Sequence, residues 1–119
     1  MEIFPEEHEL IDIFECEPPQ LTLEELDVPD YYKQWRFILK RETDVLEIDI
    51  EPSISYVYMR WHQENKVILE LALEEVYGIE IKKQGNSEFI LVLFNDERLK
   101  TLTIRTKPYI SVVWGTANT

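Results

Sequence analysis

A chain of 119 residues with 45% apolar and 12% aromatic content is sized for one domain with a real core, and that composition excludes wholesale disorder. Its formal charge of -12, from 24 acidic and 12 basic residues, disfavours binding to nucleic acid or to an anionic membrane, because both need Lys and Arg. The lone cysteine, Cys16, excludes an internal disulfide.

The opening "MEIFPEEHEL" is acidic where a secretion leader would be basic. No apolar run approaches the ~20 residues that span a bilayer. A cytoplasmic address is the expectation. The excess charge is concentrated at the front. Residues 1–32 hold 11 acidic residues and neither Lys nor Arg, while residues 33–119 hold the other 13 acidic residues and all 12 basic ones. This asymmetry divides a single domain into an acidic arm, residues 1–34, and a nearly neutral body, residues 35–115.

Within the arm, "HELIDIFECE" lies between Pro5 and Pro18. Leu10, Ile11, Ile13 and Phe14 fit one face of a helix, and Ile11 with Ile13 also fit one face of a strand. Helix is favoured, because Pro5 suits a first turn and Glu6, Glu7 and Glu9 complement the positive end of a helix dipole. Thr22 and Glu25 make a capping box, with Leu21 and Leu26 as a hydrophobic staple, and Pro29 ends this second short helix. "DYYKQW" reads as a further turn capped by Asp30.

From Trp35 the period changes to two. "WRFILKR", "VLEIDIE", "ISYVYMRW", "KVILELAL", "YGIEIKK", "EFILVLF", "LKTLTIRT" and "YISVVWG" alternate apolar and polar residues between short polar links. "EFILVLF" is apolar on both faces and reads as a central strand. "QGNS" is the strongest turn, with Gly85 and Asn86 suited to positive φ. Glu74 to Val76 reads as an irregular step. Links this short pair neighbouring strands antiparallel. The expected fold is α+β and mostly β: an antiparallel meander of about eight strands, as a curled sheet, barrel or two-layer sandwich, behind one or two short N-terminal helices.

Signals for catalysis are weak. His8 beside Glu6, Glu7 and Glu9 offers cation ligands, but a solvated helix start is the simpler reading. His62 with Glu64 offers a base, but a polar turn residue is simpler. Glu15 and Glu17 would raise the thiol pKa of Cys16, against a reactive thiolate. Glu47, Asp49 and Glu51 share one strand face, which is more simply its wet side. Three glycines cannot build a phosphate loop. No cofactor or metal site is expected. The aromatics say more: Tyr31, Tyr32, Tyr56, Tyr58 and Trp61, with Arg60 and His62 among them, are residue types that dominate protein interfaces.

In size, acidity and meandering strands the chain resembles bacterial immunity proteins, inhibitors of nucleases and secreted toxins whose targets are basic because their substrates are anionic. The resemblance is architectural and implies a non-catalytic module that covers a basic partner surface. Glu6, Glu7, Glu24 and Asp27 would supply the charge, and Tyr31, Tyr32, Tyr56, Tyr58, Arg60, Trp61 and His62 the contact area. The alternatives are a homodimer in which the arm covers a sheet edge, and a small-ligand β-barrel with a pocket at its mouth.

Overall fold

The computed structural model describes residues 1–15 and 34–114. The expected capping box at Thr22 and Glu25, Cys16, and the candidate contacts Glu24, Asp27, Tyr31 and Tyr32 lie outside these residues. The fold is α+β and mostly β. One helix, α1 (Glu7–Phe14), precedes two four-stranded antiparallel sheets. The first sheet comprises β1 (Trp35–Arg41), β2 (Asp44–Glu51), β3 (Tyr56–Gln63) and β4 (Lys66–Leu73). The second comprises β5 (Val76–Gln84), β6 (Ser87–Phe94), β7 (Leu102–Lys107) and β8 (Ser111–Val113). In both, strands lie side by side in chain order, as short connections dictate.

Alternation builds one core shared by both sheets. Trp35, Phe37 and Leu39 of β1, Leu46, Ile48 and Ile50 of β2, and Val57 and Met59 of β3 are buried together with Ile79, Ile90, Val92, Leu102 and Ile104 of the second sheet. The third strand begins at Tyr56, two residues later than expected, because Pro52–Ile54 forms a 3-10 turn. Leu102 likewise starts β7, since Leu99 N–H closes a turn on the Asp96 carbonyl at 3.0 Å. β6 is central, as its two apolar faces required. Ile90 and Val92 face the core, and Phe89 on the outer face lies under the Arg105 guanidinium at 5.2 Å. Three bulges interrupt the ladders, leaving Ile68, Tyr77 and Thr106 as extra residues on their strands.

The N-terminal segment packs onto this body. Glu6 is the residue before the first helical turn, its N–H bonded to Glu9 Oε1 at 3.0 Å, so Pro5 sits just outside the turn it was expected to open. The buried stripe is Leu10, Ile13 and Phe14, and Phe14 stacks on Phe37 at 4.8 Å. Ahead of the helix, Ile3 forms a parallel bridge with Gly78 on the edge strand β5. Glu2 N–H donates to the bulged Tyr77 carbonyl at 2.7 Å, and Ile79 N–H donates to the Ile3 carbonyl at 2.9 Å. Gly78 is required here, since a Cβ at that position would stand 2.6 Å from the Ile3 Cβ. Phe4 packs near Trp35 at 6.1 Å, and the Met1 ammonium donates to the Pro52 carbonyl at 3.0 Å.

Candidate functional site

The register of the first sheet sets its outer face. β1, β2 and β3 bring Arg36, Asp49 and Tyr58 into one row, and β2, β3 and β4 bring Glu47, Arg60 and Glu70 into the next. Arg36 holds Asp49 at 2.8 and 3.2 Å. The Tyr58 hydroxyl donates to Glu70 and accepts from Arg60 at 3.0 Å. The Glu70 carboxylate holds the Tyr58 phenol pKa above its ordinary value. Tyr56, Tyr58, Arg60 and His62 thus share one face, as period-two spacing requires. Trp61 is turned the other way. It packs against the core, and its indole N–H donates to Asp44 at 3.0 Å.

His62 lines a recess of about 440 Å³ together with Glu42, Val45, Glu47 and Glu64. Its nearest carboxylate is Glu47, 3.8 Å from Nε2, rather than the expected Glu64. The hairpin tips that flank the recess are unusual. Glu42 and Glu64 hold φ values of 54° and 50°, in the left-handed region where glycine or asparagine is the favoured choice. Glu75, between the sheets, does the same at 55°. None of the three has a cationic group within ion-pair distance, among the described residues.

The helical carboxylates divide into two groups. Asp12 and Glu15 meet cations of the body. Asp12 binds Lys83 at 2.7 Å, and Glu15 binds Arg41 at 2.6 Å and Lys107 at 3.0 Å. Glu88 extends the chain of charges to Lys107 at 3.5 Å. Arg41 also donates from Nε to the carbonyl of the bulged Thr106 at 3.1 Å, which joins the end of β1 to β7. These bonds lower the carboxyl pKa values of Asp12, chiefly through Lys83, and of Glu15, chiefly through Arg41. This is a clasp that fixes α1 to both sheets. It corrects the picture of an arm whose charge is all free. Glu6 and Glu7 remain without cationic partners at the helix start, among the described residues. The clasp left little trace in the sequence, because its members are as far apart as Asp12 and Lys83.

Among the described residues, no three His, Cys, Asp or Glu side chains are grouped to hold a metal ion, and no helix is long and apolar enough to cross a membrane. His8 lines a shallow recess with Glu9, Asp12, Ile81 and Lys83, where Asp12 is already bound to Lys83.

No protein-family model matches the chain, and no curated protein matches it in sequence. A solved structure does match. A chain of the contact-dependent growth inhibition toxin–immunity protein complex from Klebsiella pneumoniae 342 superposes with a TM-score of 0.79 over 96% of each chain, at 17% identity. The two chains share a fold. At that identity the likeness places the α+β meander and leaves function to the chemistry of the surface.

Proposed function

We propose that this chain is a non-catalytic protein-binding module of the immunity type, a cytoplasmic single-domain inhibitor that covers a basic surface of its partner. The observation that carries the reading is the unpaired Glu42, Glu64 and Glu75 at left-handed backbone positions. A side chain with a Cβ costs on the order of 1 kcal/mol there relative to glycine. Carboxylates held at such cost, at two hairpin tips and at the crossover between sheets, with no ion-pair partner among the described residues, suit a cationic surface from elsewhere. Glu6 and Glu7 add to the same field, and Tyr56, Tyr58, Arg60 and His62 supply amphipathic contact area beside it. The acidity also fits the inhibitor member of a toxin–immunity pair better than a member that acts on polyanions.

The test is co-purification and growth rescue. The chain is co-expressed with the product of the adjacent reading frame in its source genome. The expected outcome is a stoichiometric complex with a basic protein and relief of that protein's toxicity. A neighbouring product that is neither basic nor bound would overturn the reading.

A homodimer is a second reading, favoured by one observation. Val67 and Ile68 on the edge strand β4 are 50% and 47% exposed. Light scattering across a concentration series decides it: a mass that doubles supports the dimer, and a constant monomer mass removes it.

A further inference from the structure

A second recess lies where the chain crosses from one sheet to the other, at the opposite end of β5 and β6 from Lys83 and Glu88. It is an open recess of about 370 Å³ lined by Leu73, Glu74, Glu75, Phe94, Leu99 and Trp114. Its walls are aromatic and its mouth is acidic. Trp114 stacks on Phe94 at 5.8 Å with 26° between the rings, and its indole N–H is fixed to the Lys100 carbonyl at 2.9 Å. Trp114 is nevertheless 41% exposed and Leu99 39% exposed, so apolar area that could be covered is left open. The acidic rim is held as firmly. Glu75 accepts Asn95 N–H on its carbonyl at 3.2 Å while its backbone stays left-handed.

Among the described residues, no cation forms an ion pair with Glu74 or Glu75. Arg98 lies near enough to feel Glu75, but its guanidinium is committed to Asp96 at 2.8 and 3.1 Å. Lys100 contributes its carbonyl to Trp114, and its ammonium has no carboxylate partner among the described residues. A planar aromatic surface beside two carboxylates that hold no ion pair among the described residues matches one side chain in particular. Guanidinium stacks on an indole face and donates in a fork to carboxylate oxygens. A compact ammonium satisfies the charge but not the plane.

We propose that this recess receives an arginine side chain of the partner protein and acts as an anchor point of the interface. The proposal rests on the protein-binding reading above and names a residue type that the partner must present. Binding energy at protein interfaces is concentrated in a few such seats, where an Arg or aromatic anchor enters a preformed pocket.

The probe is N-acetyl-arginine amide, titrated into the full chain labelled with nitrogen-15 and followed by NMR. The neutral citrulline analogue serves as the isosteric control. The expected result is saturable movement of the Trp114 indole and Glu75 amide signals, with affinity on the order of mM and roughly tenfold weaker for citrulline. The double variant Glu74→Gln, Glu75→Gln should retain the wild-type spectrum elsewhere and lose the response. No movement at Trp114, or equal movement with citrulline, overturns the pocket. If the arginine amide seats but Glu74→Gln, Glu75→Gln binds the partner protein as tightly as wild type, the anchor role is overturned while protein binding stands. If the amide seats in a chain that binds no basic protein, the functional reading fails and the partner role of the pocket fails with it.

Discussion

Arg41 donates to Glu15 at 2.6 Å and to the Thr106 carbonyl at 3.1 Å, so one guanidinium ties the end of α1 to the bulge of β7. The Arg41 side chain is only 20% exposed. Replacing it with alanine strands the Thr106 carbonyl and leaves Glu15 with Lys107 alone. Arg41→Ala should cost about 1–3 kcal/mol, read as a lower urea midpoint with an unchanged slope. Glu15→Gln should cost less, about 0.2–1 kcal/mol, because that carboxylate is largely wet.

The same contacts set a pH dependence. Asp12 and Glu15 carry carboxyl pKa values below their ordinary 3.8 and 4.5, and Arg98 draws Asp96 down to about 2. Below the ordinary values the unfolded chain binds protons that the folded chain refuses. These groups therefore contribute their stability in full above about pH 4.5, and it is lost as the pH falls through the lowered values toward 2. Chemical denaturation at stepped pH should show that decline, and Glu15→Gln should make it shallower.

The N-terminal bridge depends on Gly78. A methyl group there would collide with both the Ile3 Cβ, at 2.6 Å, and the Ile3 carbonyl oxygen, at 2.7 Å. Backbone cannot swing aside as a flexible side chain can. Gly78→Ala should destabilise by about 1–3 kcal/mol and speed hydrogen exchange at the Glu2 and Ile79 amides, whose bonds span that contact. Unchanged exchange at both would show that the N-terminal segment is not held there.

Helix docking rests on apolar contact. Phe14 is buried and stacked on Phe37. Phe14→Ala should cost about 3–5 kcal/mol in thermal or urea unfolding, several times the effect of Glu15→Gln. The reverse order would mean that ion pairs rather than packing hold the helix.

The hairpin tips make the sharpest contrast. Glu64→Gly and Glu42→Gly should each raise stability by about 0.4–1 kcal/mol by relieving left-handed backbone, while slowing association with a basic partner. Two opposite signs from one substitution would be hard to obtain if these glutamates were inert surface.

Much of the β body was legible because period-two alternation is a local signal. Trp35, Phe37 and Leu39 announce their shared face within seven residues. The same alternation groups Trp61 with Val57 and Met59, so its inward position was readable and was missed only because tryptophan's residue type drew it into the contact group. Helix α1 was legible from Leu10, Ile13 and Phe14, whereas its start at Glu7 behind the capping Glu6 was not, since Pro5 fits equally well outside the first turn. The bulges at Ile68, Tyr77 and Thr106 follow from strand register, which no short window contains. The clasp unites residues as distant as Glu15 and Lys107, and the recess unites segments as distant as Glu74 and Trp114. A sequence supplies their charges and rings but not their meeting. Charge asymmetry along the chain likewise overstated the arm's freedom, because Asp12 and Glu15 find their cations only after folding.

The central claim is that unpaired carboxylates on this scaffold recognise a basic protein. The most direct measurement is the association rate with the product of the adjacent reading frame, by stopped-flow fluorescence at ~10 mM and ~150 mM salt, where the screening length differs about fourfold. The expected rate falls by at least about tenfold across that range, with a much weaker fall for the variant combining Glu6→Gln, Glu7→Gln, Glu42→Gln and Glu64→Gln. A rate indifferent to salt, or a salt dependence that this variant leaves intact, would contradict the claim.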